Sequence, residues 1–244
     1  MSFAAIGDAK LVLAQLNAEL RARHPDGVDR DRDAATRAKI REIRASFRAA
    51  WAERLDCDSA PISPYRVITE LMRAVDRTRT VVTHDAGNPR DQVLPFYEAI
   101  VPHGYIGWGK STQLGTGLGL AMGARLARPD WLAVNVMGDA AFGMVGMDFE
   151  TAVRCELPIL TIVLNNGVMG GYMQYMPDAI ERYGSNRTSG DYAAVARALG
   201  GHGERVTDPG ELAPALGRAI ESVEGGLAAL VEVVTREEPV FAMG

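Results

Sequence analysis

Two apolar runs in this chain each end in oxygen-bearing side chains. The run Trp131 to Met137 stops at Gly138-Asp139, and the run Ile159 to Leu164, opened by Pro158, stops at Asn165-Asn166-Gly167. Runs of this length bounded by turn residues read as buried strands. Between them Ala140-Ala141-Phe142-Gly143 reads as a small-residue turn. Phe149, Val153 and Cys155 mark a helix starting near Met147. Strand, turn, helix and strand joined by short links predict a right-handed parallel crossover. Both strands then end at the same sheet edge, where open parallel sheets bind their ligands. A carboxylate from Asp139, an amide oxygen from Asn166 and nearby backbone carbonyls form a hard-oxygen set. Such a set suits Mg²⁺, which takes one or two protein carboxylates and completes its shell with phosphate oxygens and water. The chemistry indicated is a magnesium-diphosphate site. Asp and Asn are also common turn formers after strands, so Asp139 on its own fits that plainer role too.

The spacing and its context resemble a known signature. Gly138-Asp139 followed by Asn165-Asn166, with Asn166 27 positions after Asp139, resembles the diphosphate-binding motif of thiamine diphosphate enzymes: Gly-Asp-Gly, a gap in the twenties, then Asn-Asn. GDAAFGMVGMDFETAVRCELPI is similar to the corresponding stretch of oxalyl-CoA decarboxylases and 2-hydroxyacyl-CoA lyases, with acetolactate synthases and benzoylformate decarboxylases as close relatives. Ala140 departs from the usual Gly, but as a small residue it still permits close backbone approach. The resemblance implies cofactor contacts from Gly138, Asp139, Ala140, Ala141, Asn166, Val168 and Met169. It implies Mg²⁺ ligands from Asp139, Asn166 and the carbonyl of Val168.

Composition sets the limits. The chain has 244 residues, 47% apolar and 23% charged, as soluble globular proteins do. A net charge of −5 indicates no polyanion or nucleic-acid partner. No apolar run is long enough to span a bilayer. Asp8, Lys10 and Glu19 interrupt the first 20 residues, which therefore do not read as a secretion signal, and a cytoplasmic location is expected. Cys57 and Cys155 are expected to be buried, reduced thiols. Two cysteines and four scattered histidines make no zinc pattern. Asn186-Arg187-Thr188 spells a glycosylation sequon, read as coincidence without a secretion signal.

In chain order, Asp8 caps a helix with Leu11, Leu13, Leu16 and Leu20 on its apolar side. This segment resembles the end of the central domain in acetolactate synthase-type enzymes. The chain is therefore expected to be the C-terminal part of such an enzyme, as a natural small subunit or a fragment. Residues 34–51 keep helical spacing with balanced charge and read as a solvated linker helix. The expected domains are 1–60, a domain tail and linker, and 61–244, the diphosphate-binding domain. Ser63 and Pro64 open a helix, and Thr80 to His84 is a strand. His84-Asp85-Ala86-Gly87-Asn88 follows it. By position it resembles the family's first diphosphate loop, a role that falls to Gly87 and Asn88. His84 and Asp85 read either as a capped turn or, for His84, as a proton donor or acceptor near the substrate.

Tyr105 to Gly123 is rich in small residues and leads into a helix from Leu118 to Leu126. Gly109-Lys110-Ser111 lacks the leading Gly of a Walker motif. In the resembled family a bulky residue before a Gly wedges between the cofactor rings and enforces a bent conformation. Leu114 before Gly115 matches that place, and Thr112 would offer its carbonyl to the aminopyrimidine. Met173, Tyr175 and Met176 either shape a substrate pocket or pack under a loop. The remainder alternates helix (191–199, 210–223) and strand (203–206, 227–234). The whole pattern predicts an α/β fold, a doubly wound, mostly parallel sheet with helices on both faces, plus an N-terminal helical extension.

The resemblance implies a lyase or carboligase that cleaves or forms a C–C bond in a 2-oxo acid or 2-hydroxyacyl-CoA. In the family, a glutamate from a separate pyrimidine-binding domain completes the cofactor site. The expectation is therefore a hetero- or homo-oligomer, active only with a partner chain that carries that domain. Two other readings stay open: a regulatory or structural subunit that binds thiamine diphosphate without turnover, and a generic α/β nucleotide-binding domain.

Overall fold

The computed structural model describes residues 4–27, 30–107, 109, 113–171 and 175–242. The chain divides into two units, Met1–Ala52 and Glu53–Gly244. The first holds α1 (Ala9–Arg23) and most of α2 (Arg30–Leu55). Asp8 caps α1 by accepting the Leu11 N–H at 3.0 Å, and the four leucines expected on its apolar side are exposed. Along α2, Arg37 pairs with Asp33 at 2.8 Å and Lys39 with Glu42 at 3.0 Å. These are exposed helical pairs worth a few tenths of a kcal/mol each.

The second unit carries the sheet. Its elements are α3 (Pro64–Ala74), β1 (Thr80–His84), α4 (Asn88–Val93), β2 (Tyr105–Ile106), α5 (Thr116–Ala127), β3 (Leu132–Gly138), α6 (Asp139–Val145), α7 (Asp148–Arg154), β4 (Leu160–Asn165), α8 (Pro177–Tyr183), α9 (Tyr192–Ala198), β5 (His202–Val206), α10 (Leu212–Glu224) and β6 (Ala229–Val234). The strand order is β2-β1-β3-β4-β6-β5, and every pair is parallel. β1 and β4 are buried along their whole length, as strands covered on both faces must be. On one face Leu118 and Ala121 of α5, Phe149 and Ala152 of α7, and Ala193 and Ala196 of α9 pack on Val81, Met137, Val163 and Leu230. On the other, α3, α4 and α10 pack together and against the strands. β1 leads into α4 on this second face and β3 leads into α6 on the first. A crevice opens between two strand ends where successive helices leave to opposite faces.

Local readings need correction. The stretch read as a small-residue turn, 140–143, is the body of α6. Small residues permit a turn but do not demand one, and Ala141 and Phe142 are pulled into the core. Ser63 stands at the N-cap of α3 as expected, but its side chain makes no capping bond. Its Oγ donates to the Arg54 carbonyl at 2.9 Å instead. Both cysteines are free, but Cys155 is exposed and Cys57 partly so. Cys155 follows the last turn of α7, where the helix ends in solvent. No helix among the described residues is long and apolar enough to cross a membrane.

Candidate functional site

The crevice holds a cavity of about 180 Å³, partly open to solvent. The residues expected from sequence converge on it. Gly87 and Asn88 come from the β1–α4 link, Leu114 from the approach to α5, and Gly138, Asp139, Ala140 and Ala141 from the β3–α6 junction. Asn166, Val168 and Met169 come from the segment after β4. Gly87 adopts φ +80°, ψ −150°, a region open in practice only to glycine. Thr112 lies outside the described residues, as do Met173 and the Lys110-Ser111 pair. His84 is not in the cavity lining. It is 2% exposed, its Nδ1 is 2.9 Å from the Asp85 carbonyl oxygen, and its ring stacks on Tyr105 at 5.6 Å.

Asp139 is the centre of the polar network. One carboxylate oxygen, Oδ1, accepts the Ala140 N–H at 2.8 Å. Oδ2 accepts the Gly167 N–H at 2.9 Å and the Thr188 hydroxyl at 2.6 Å. Burial pushes its pKa up, against the pull of the Thr188 hydroxyl and the Ala140 and Gly167 N–H groups. The following turn is closed by the Asn166 Oδ1, which accepts the Val168 N–H at 3.1 Å. Residues 186–188 brace it: Met169 donates to the Asn186 carbonyl at 2.6 Å and Thr188 donates to the Gly167 carbonyl at 3.0 Å.

A second carboxylate ties the other side together. Asp85 Oδ1 accepts the N–H of Ala86 and of Gly115, each at 2.8 Å. It thereby joins the β1 end to the residue after Leu114. Burial raises its pKa too, opposed by these N–H groups. Asp85 thus acts as the capping residue of a turn, with a reach to Gly115 that sequence proximity does not suggest.

The site's residues fit a divalent cation held with a diphosphate. No group of three or more His, Cys, Asp or Glu that could hold a metal occurs among the described residues. A Mg²⁺ that draws phosphate oxygens and water needs no such group. Asp139 supplies the charge, and Asn166 and Val168 line the same cavity. Arg90 and Arg236 also line the cavity, with their guanidinium groups on the Asp91 and Glu238 carboxylates at 2.7 and 3.2 Å. The sequence reading missed both arginines, as well as Thr188, which it saw only within a sequon.

A parallel α/β domain with such a strand-end crevice belongs to the class of proteins that bind a ligand outside the carboxyl ends of their strands. Comparison with known proteins narrows it. Residues 85–233 match the family described as thiamine pyrophosphate enzyme, C-terminal TPP binding domain. The chain belongs to that family, thiamine pyrophosphate being thiamine diphosphate. It is 38% identical over 187 residues to an acetolactate synthase large subunit of Mycobacterium tuberculosis, covering 75% of this chain and 33% of that relative. It is 30% identical over 234 residues to a 2-hydroxyacyl-CoA lyase of Oryza sativa subsp. japonica, covering 89% of this chain and 39% of the relative. The chain thus spans about a third of the length of such curated relatives. A thiamine diphosphate-dependent 4-hydroxybenzoylformate decarboxylase of Rhodococcus jostii RHA1 shares the fold. Its TM-score is 0.62 at 20% identity, over 72% of this chain and 33% of that one.

Proposed function

We propose that this chain forms the diphosphate-binding half of a lyase or carboligase active site that acts on a 2-oxo acid or a 2-hydroxyacyl-CoA. The observation that carries the reading is the meeting of Asp139, Asn166, Val168 and Leu114 on one cavity inside the matched cofactor domain. When bound, thiamine diphosphate supplies the nucleophilic carbon and the electron sink for C–C chemistry. The chain's own residues bind and orient. Asp139, Asn166 and the Val168 carbonyl would hold Mg²⁺ on the diphosphate. Gly87, Asn88, Gly138, Ala140, Ala141 and Met169 would line the diphosphate and its approach. Leu114 would press on the cofactor's middle and keep it bent, with Thr112 on the ring side. His84 is buried and outside the cavity lining, so no proton-transfer step is assigned to it.

The reading extends to a second chain that brings the pyrimidine-binding domain and its glutamate. Exposed apolar side chains support it: Met144 and Met147, from α6 and the residue just before α7, stand in solvent, and a partner would cover them. The test is turnover of a panel of 2-oxo acids and 2-hydroxyacyl-CoA thioesters by the chain alone and with a copurifying second chain. C–C cleavage or ligation only in the mixture is the expected result. Full turnover by the 244-residue chain alone would remove the partner from the account.

A further inference from the structure

Glu232 sits in the middle of β6 with no exposed surface, outside the cavity lining. A charged residue in such a place requires partners. Its Oε1 accepts from the Asn165 side-chain amide at 2.7 Å and its Oε2 accepts the Ala193 N–H at 3.0 Å. Arg205 Nη1 stands 3.4 Å from Oε1. Each of these neighbours is a donor, so the carboxyl group serves as an acceptor on both oxygens.

The bond to Asn165 decides how that amide points. With Nδ2 given to Glu232, Oδ1 accepts the Gly167 N–H at 3.1 Å. The opposite orientation would set Oδ1 against the carboxylate and Nδ2 against the Gly167 N–H. The Gly167 N–H is shared with Asp139 Oδ2. A line of hydrogen bonds therefore runs from Glu232 through Asn165 to Gly167 and Asp139.

We propose that Glu232 is a positioning residue of the cation-diphosphate site. By fixing the Asn165 amide it holds the Asn166-Gly167-Val168 turn against Asp139 before any ligand arrives. The inference rests on the functional reading above for its consequence, but not for its mechanism. The isosteric Glu232→Gln change tests the mechanism, because an amide cannot accept on both sides. If the introduced amide presents its oxygen to Asn165, its NH₂ opposes the Ala193 N–H. If it presents its NH₂, Asn165 must flip and oppose the Gly167 N–H. Adding Asn165→Asp removes the conflict. The carboxylate so placed accepts from both the introduced NH₂ and the Gly167 N–H, and the introduced amide oxygen accepts from Ala193.

The experiment uses the 244-residue chain, without ligand and then with Mg²⁺ and thiamine diphosphate. Amide hydrogen exchange at 165–169 is expected to quicken about tenfold in Glu232→Gln, with β1 unchanged. The dissociation constant for the cofactor with Mg²⁺ should rise about tenfold. Both should return towards wild type in the double variant. If the single variant does not fold, the double variant decides: folded and protected, it supports the clamp. Unchanged exchange in Glu232→Gln would overturn the proposal, as would a folded double variant that exchanges fast at 165–169. So would faster exchange spread evenly over the sheet. Failure of the wild type to bind the cofactor both alone and with its second chain would instead undo the functional reading and leave the exchange result to judge the clamp.

Discussion

Asp139 is held by three donors of different origin, and the Thr188 hydroxyl is the one that a substitution can remove without moving the backbone. A hydrogen bond to a charged group contributes about 1.5–3 kcal/mol. Thr188→Val is therefore expected to weaken Mg²⁺-dependent cofactor binding at least about tenfold, while Thr188→Ser keeps it, both measured by calorimetry. Equal affinity in Thr188→Val would mean that the Ala140 and Gly167 N–H groups suffice to orient the carboxylate. The contrast between Asp139 and Thr188 shows what a sequence reveals at this scale. Asp139 and Asn166 end consecutive parallel strands, so the order of strands along the chain places them together. Thr188 reaches Asp139 across 49 positions through a segment with no regular element of its own. Glu232 is hidden differently: inside a strand read as mostly apolar, one charge carries no periodic signal, and its partner is fixed only by the β4–β6 pairing.

The elements meet at close quarters where the site is built. A Cβ on Gly117, in the first turn of α5, would lie 2.4 Å from Asn135 Oδ1 and 2.7 Å from the His84 carbonyl oxygen. Backbone cannot yield as a flexible side chain can. Gly117→Ala is expected to push α5 off the end of β1 and destabilise the unit by about 1–3 kcal/mol, as overpacking does. A lower midpoint in urea at unchanged slope would show it, and an unchanged midpoint would contradict the packing described. The strands were legible from their apolar runs. The β1 bounds coincide with the expected Thr80 to His84, and β3, β4, β5 and β6 fall within one or two residues of expectation. The elements that escaped are short. α4 and α6 are six and seven residues long and begin at or near Gly, Asp or Pro, which spell turns as readily as helix starts. Two-residue β2 exists only by pairing with β1. α4 and α6 carry residues of the cavity lining, so the helices at the cavity were less legible than the strands that lead to it.

At the scale of the molecule, the buried phenols set a limit at high pH. Burial raises the pKa of Tyr65 and of Tyr97 to about 12 each and that of Tyr105 in the same direction. An unfolded tyrosine ionises near pH ~10. Below that value both states are protonated and the stability is fully present. Between about 10 and 12 the unfolded chain loses protons that the folded chain keeps, so stability falls as pH rises. The thermal midpoint should therefore drop steeply over that range. Tyr97→Phe should make the drop shallower with no loss at about pH 8, well below the range in which either state ionises, because the Tyr97 hydroxyl has no hydrogen-bond partner among the described residues. Identical slopes for the two proteins would show that Tyr97 ionises as freely folded as unfolded.

The central claim is that the cavity around Asp139 binds thiamine diphosphate through Mg²⁺. Calorimetric titration of thiamine diphosphate, with and without Mg²⁺, into the purified chain alone and with its second chain tests it most directly, using wild type and Asp139→Asn. The account predicts Mg²⁺-dependent binding by the wild type, weakened about a hundredfold or more in the variant, which corresponds to at least about 2.7 kcal/mol. No binding by the wild type in either setting, or equal binding by Asp139→Asn, would contradict it.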